Sequence, residues 1–249
     1  MLLRKVFIPT HRESLFEAKL AKFAIERKLP PGSPIKVEIV ETNDPALDRF
    51  AAPEKMAFVG RALSITPWVL AIQDITPLMD MDLGEKRVAV AKGRSGWDST
   101  VMLMEAERLK DWRMKDFKMA LETKQVEREQ IISLEIEPDI MELSRVWNNV
   151  DRLSLETKML NLDNSLTRPW KTGLPVEHTR ATPSWLDRIK TMFKKETQLH
   201  RRHPDRGVMA FFIDLVRQAY KAKVFDDAFI AREIKEKRIS PDIATIVRG

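Results

Sequence analysis

Two rhythms alternate along the first hundred residues. Lys5–Pro9 is a short β-branched and aromatic run closed by proline, which predicts a strand. Ser14–Arg27 instead spaces Leu15, Ala18, Leu20, Phe23, Ala24 and Ile25 as one face of a helix, with Ser14 as its N-cap. Leu29-Pro30-Pro31-Gly32-Ser33-Pro34 stops that helix, and Ile35–Val40 returns to strand-like alternation. Lys55–Ile65 reads as a second helix. Trp68–Ile72 is a continuous apolar run, as expected of a strand buried on both faces, and Arg87–Ala91 and Thr100–Met104 supply two more strands. Strands that alternate with helices predict an α/β fold built on a mainly parallel sheet flanked by helices.

The rhythm then changes. From Leu109 to Glu137 the chain is charged and helical, with Trp112, Phe117, Met119, Leu121 and Ile131 as its apolar contacts. A last strand is expected over Lys158–Leu162. Beyond Pro183 the spacing predicts helices only, over Ser184–His200, Gly207–Ala222 and Asp226–Lys237. No internal repeat or low-complexity linker interrupts the chain.

Composition narrows the class. With 249 residues and 43% apolar content, the chain can bury a core in one or two domains. No run of eighteen apolar residues occurs, and the opening residues read as a strand rather than a signal peptide. The absence of cysteine excludes disulfides, zinc–thiolate sites and thiol chemistry and fits a cytoplasmic protein. The net charge of +6 favours anionic partners, and residues 180–204 carry seven Lys or Arg against Asp187 and Glu196. In the 184–200 helix, Trp185, Leu186, Ile189, Met192 and Phe193 form an apolar strip edged by Arg188, Lys190, Lys194 and Lys195. That strip suits docking on the sheet domain or a peripheral contact with an anionic membrane. Nucleic acid is disfavoured as a partner, since Trp185 and Phe193 lie on the apolar stripe rather than among the cations.

Ligands of open α/β sheets sit at the carboxyl ends of strands, and the exit of the last strand carries most information. Met159-Leu160-Asn161-Leu162-Asp163-Asn164-Ser165-Leu166-Thr167-Arg168-Pro169-Trp170 is an apolar strand, a polar turn, and a cation ahead of Pro-Trp. This stretch resembles the end of the catalytic domain in glycogenin-like and bacterial lipopolysaccharide glycosyltransferases of the GT-A type. In those enzymes a histidine at the strand end binds metal, and a lysine before Pro-Trp holds the diphosphate of the sugar nucleotide. Here these positions read Asn161 and Arg168.

Three more segments follow the family order. Ile8-Pro9-Thr10-His11-Arg12-Glu13 is similar to the turn that holds the nucleotide base, which implies Thr10, His11 and Arg12 as contacts. Ile72-Gln73-Asp74 is aligned with the metal-binding Asp-x-Asp that follows an apolar strand, with Asp74 on the second aspartate and Ile72 on the first. Trp97-Asp98-Ser99, read as a polar turn before Thr100–Met104, resembles the stretch that faces the donor sugar. Glu142–Asn149 resembles a further sugar-facing stretch through Trp147 and Asn148, and Trp170 completes the sugar-facing set.

The resemblance implies a Rossmann-like GT-A domain over 1–179, with a helical C-terminal extension over 180–249. It further implies a hexosyltransferase using a nucleoside diphosphate sugar and a glycan or lipid-linked acceptor, at the inner face of the membrane if the acceptor is lipid-linked. With Ile72 and Asn161 in place of two ligands, Mn²⁺ or Mg²⁺ is expected to bind weakly at Asp74 or not at all. The same departures leave a second reading open, a relative that keeps the fold but serves as a binding or structural subunit.

Overall fold

The computed structural model describes residues 3–94, 96–176 and 198–249. Among these residues, six strands form one sheet in the order β2-β1-β3-β6-β5-β7, namely β1 Arg4–Thr10, β2 Lys36–Glu41, β3 Arg61–Ile65, β5 Val88–Lys92, β6 Trp97–Glu105 and β7 Ile140–Glu142. β1 lies parallel to both β2 and β3, and β5 lies parallel to β7. Only β6 runs against its neighbours. The sheet is therefore mixed and mainly parallel. A smaller sheet, β4-β9-β8, joins β4 Val69–Ala71, β9 Met159–Asn161 and β8 Asn149–Val150.

Side chains alternate across the central sheet as a period of two demands. Val6, Ile8, Leu63, Ile65, Val101 and Leu103 face a core shared with helix α1 Leu15–Glu26 and with the C-terminal helices α7 Arg206–Lys221, α8 Asp227–Lys235 and α9 Asp242–Arg248. Phe7, Ala62, Val88, Val90, Met102 and Met104 face a second core. That second core is covered by α2 Pro45–Asp48, α3 Ala52–Lys55, α5 Met114–Glu122 and α6 Arg128–Ile132, while α4 Thr76–Met79 packs into the first. In the second core Phe50, Trp112 and Phe117 meet edge to face, with centroids 5.5–6.1 Å apart. The C-terminal helices dock on α1, where Phe16 stacks on Phe225 at 5.1 Å.

Several sequence expectations change. Lys55–Ile65 does not form a helix: α3 ends at Lys55, and Arg61–Ile65 is the central strand β3. Gly60 explains the break. It has φ +78°, and a Cβ there would lie 2.2 Å from the Leu3 carbonyl oxygen, so only glycine lets β3 start beside β1. The Trp68–Ile72 strand shrinks to Val69–Ala71 and belongs to the small sheet. Trp97, Asp98 and Ser99 lie within β6 rather than in a turn, and a register shift of β5 past Val90 pairs Ala91 with Asp98. The long helix expected over 109–137 divides into α5 and α6, with Lys124 and Leu134 in left-handed backbone conformations at the breaks. Ser14 precedes α1 but makes no side-chain cap. α9 was not anticipated. The predicted helix 184–200 lies outside the described residues apart from its last three, and Leu199 makes an isolated bridge to Pro175. Among the described residues no helix is long and apolar enough to cross a membrane.

Candidate active site

The carboxyl ends of β1, β2 and β3 meet the start of β6 and the exit of β9. At the end of β1, Thr10 is fully buried, and its hydroxyl donates to the carbonyls of His11 and Ser14, both at 3.2 Å, closing the turn into α1. His11 and Arg12 stand exposed on that turn. At the end of β2, Asp44 caps α2 through the Leu47 amide at 3.1 Å and receives both Nη groups of Arg128 from α6. Hydrogen bonding to Arg128 is the main cause that holds the Asp44 carboxyl below the usual range.

Beneath these groups lies Arg49, on the turn after α2. It is only 8% exposed and forms no ion pair among the described residues. Its Nη1 donates to the Ser99 hydroxyl at 3.1 Å, and its Nε has no partner. Burial pushes its pKa down to about 10, against the attraction of Asp98, Asp44 and Asp163.

Beside it runs a closed hydrogen-bond network. Asp98 Oδ1 accepts from the Thr100 amide at 2.9 Å and the Thr100 hydroxyl at 2.5 Å, and Asp98 Oδ2 accepts from Asn148 Nδ2 at 2.9 Å. Asn161 Nδ2 donates to Asn148 Oδ1 at 2.8 Å and to Thr100 Oγ1 at 2.9 Å. Asn161 is 0% exposed, and its Oδ1 is left without a partner. A buried acceptor in that condition carries a desolvation cost of about 1–3 kcal/mol until something donates to it.

Arg168 closes the site. Its Nε donates to the Leu162 carbonyl at 3.1 Å, and its guanidinium lies 4.1 Å from the centroid of the Trp68 ring. Burial depresses its pKa, opposed by Glu17, Asp163 and Asp151, and it too has no ion pair among the described residues. Asp163 is thus an electrostatic neighbour of both arginines.

The structure gathers Thr10, Asp98, Ser99, Asn148, Asn161 and Arg168 at this end of the sheet, with His11, Arg12 and Trp97 on its margins. Trp147 and Trp170 lie elsewhere: at 3% and 1% exposure both are core residues, because each ring packs where the small sheet and the helices join the main core. Asp74 belongs to the entry of α4, where its Oδ1 accepts from the Thr76 amide and hydroxyl at 2.9 and 2.8 Å. The strand beside β1 is β3, not Trp68–Ile72, so the residues leaving the central sheet there are Thr66-Pro67-Trp68. Thr66 Oγ1 and Trp68 Nε1 are buried without partners.

Those donors do not fit the divalent cation that the family resemblance implies. A hydroxyl, an indole N–H and an amide oxygen supply none of the anionic oxygens that Mg²⁺ or Mn²⁺ requires. No group of three His, Cys, Asp or Glu with metal-binding geometry occurs among the described residues. Sequence reading missed Arg49, Trp68, Thr66 and Asp163. Of these only Arg49 carries a signal, a lone cation set in the apolar run Arg49-Phe50-Ala51-Ala52.

No family model and no curated protein matches the chain. Among solved structures, it is similar to the glycosyltransferase GlyE of Streptococcus pneumoniae TIGR4, with 14% identity, a TM-score of 0.54, and coverage of 90% of this chain and 64% of that one. The apo form of GlyE aligns at 13% identity over 81% of this chain and 66% of that one, again with a TM-score of 0.54. WbbM, a bifunctional glycosyltransferase, has the same TM-score at 10% identity, over 69% of this chain and 47% of its own. The chain therefore has a GT-A-like glycosyltransferase fold and spans less than two thirds of the length of each of these structures.

Proposed function

We propose that the chain is a glycosyltransferase that binds a nucleoside diphosphate sugar at this end of the sheet and neutralises the diphosphate with arginine rather than with a divalent cation. The observation that carries the reading is a buried guanidinium, Arg49, and a half-buried one, Arg168, neither ion-paired among the described residues, beside the Asp98–Asn148–Asn161 network. Buried charges without counter-ions are costly, and an incoming phosphate would relieve them. Guanidinium is suited to that task, since it stays protonated and offers paired N–H groups to phosphate oxygens.

In the transfer, an acceptor hydroxyl oxygen bonds to the anomeric carbon while the bond from that carbon to the diphosphate oxygen breaks. The electron pair leaves with the diphosphate, and the hydroxyl proton passes to solvent or to the leaving group. Arg168 and Arg49 stabilise the charge that builds on the leaving oxygen. Thr10, His11 and Arg12 border the nucleotide end. The acceptor is a glycan or a lipid-linked sugar, and membrane contact through 184–200 belongs to the same proposal.

One observation favours a different reading. Trp68, at the exit of the strand beside β1, stacks on Arg168 and supplies no carboxylate for a metal, a site at which the chain would hold a nucleotide sugar without turning it over. Calorimetry with UDP, GDP and CDP, with and without Mn²⁺, followed by assay of nucleotide release from the corresponding sugar donors, separates the cases. Metal-independent binding with release supports the transferase, and binding without release supports the non-catalytic relative. No binding at millimolar nucleotide refutes both.

A further inference from the structure

One buried carboxylate has no part in the reaction as drawn. Glu17, in the first turn of α1, is 3% exposed. Its Oε1 accepts from the Trp170 indole Nε1 at 2.7 Å, and its Oε2 is buried without a partner. Burial pushes its pKa up, against the attraction of Lys171 and Arg168. A leucine here would avoid that desolvation cost, so packing alone does not account for an acid at this position.

The donor of that hydrogen bond lies two residues after Arg168. Trp170 is held from three directions: its indole by Glu17, its carbonyl by the Ser240 amide at 2.7 Å, and its ring against Phe212 at 6.0 Å. Pro169 leaves little freedom between Trp170 and Arg168, and the Lys171 amide bonds back to the Arg168 carbonyl at 2.9 Å. Arg168 itself has one side-chain hydrogen bond and the stack on Trp68. The position of its guanidinium is thus inherited from the anchored Trp170.

We propose that Glu17 is a positioning residue for the phosphate-binding cation, acting through the Trp170 indole to fix the Arg168-Pro169-Trp170 strap between α1 and the C-terminal helices. This inference rests on the donor-site reading above. It makes α1 and the Ser240 turn parts of the donor site, although neither touches the nucleotide.

The test is nucleotide affinity by calorimetry, using whichever of UDP, GDP or CDP the parent binds. Glu17→Leu removes the acceptor and is expected to weaken binding roughly tenfold, and Trp170→Phe, which removes the indole N–H together with part of the ring, is expected to weaken it at least as much. Glu17→Gln keeps an acceptor oxygen and is expected to stay within about threefold of the parent. In an Arg168→Ala background Glu17→Leu should have no further effect, because a residue that acts through Arg168 loses its influence with it. Circular dichroism establishes that each variant is folded. Unchanged affinity in folded Glu17→Leu and Trp170→Phe overturns the inference alone, as do losses that add to that of Arg168→Ala. A parent that binds no nucleotide overturns the donor site and this inference together.

Discussion

Arg49→Met should make the free protein more stable while weakening its hold on nucleotide. The side chain is buried and, among the described residues, its only hydrogen bond is to Ser99 Oγ. A drop from the ordinary value of 12.5 to about 10 corresponds to a cost of about 3 kcal/mol for keeping the charge in the fold. The sign follows from linkage. A base whose pKa is lowered on folding is penalised at every pH below its folded value, and the penalty fades as pH rises through about 10. Met matches the aliphatic stem without the charge. Ser99 keeps its bond to the Ile132 carbonyl at 2.7 Å, so one hydrogen bond is lost, worth about 1.5–3 kcal/mol because its donor is charged. The expected net gain is up to about 1.5 kcal/mol, at roughly 2–4 °C in Tm for each kcal/mol in a chain of this size. Thermal melts at pH 7, with and without millimolar nucleotide, would measure it: the variant should melt higher when free and gain less from ligand than the parent. A variant that melts more than a few degrees lower and still gains fully from ligand would show Arg49 to be a structural cation and refute the argument.

Arg168→Ala should cost about 1.5–3 kcal/mol of nucleotide affinity, the range for a hydrogen bond to a charged group, and calorimetry that finds equal affinity in a folded variant removes Arg168 from the site. Chelation with EDTA should leave nucleotide affinity unchanged, while Trp68→Asp combined with Asn161→His should create measurable Mn²⁺ binding at the β3 exit; Ile72→Asp in place of Trp68→Asp should not. Asp44 should remain ionised below the ordinary carboxylate range because of Arg128. Its stabilising effect should be intact above that range and lost as pH falls through its lowered folded value, and an NMR titration of Asp44 that shifts upward in Arg128→Gln would bear this out.

Much of the fold is legible in the chain because periodicity is local. The β-branched and aromatic run Lys5–Pro9, the alternation of Ile35–Val40 and the helical spacing of Ser14–Arg27 and Gly207–Ala222 survive with small shifts of their ends, since each segment buries most of the residues its own pattern marks. Arg61–Ile65 reads as helix in the sequence because Arg61-Ala62-Leu63-Ser64-Ile65 is too short for its spacing to separate a helix from a strand. What settles it is the approach of Gly60 to Leu3, a contact between residues far apart in the chain. The expected metal position, Asp74, engages the Thr76 amide and hydroxyl at the entry of α4 instead of standing at the exit of the central strand β3. Order and spacing were enough to bring Asn161 and Arg168 to notice. Whether a cation is buried and unpaired, as Arg49 is, or a carboxylate is spent on an indole, as Glu17 is, depends on what long-range packing removes from water, and charge in a sequence says nothing about the solvent left around it.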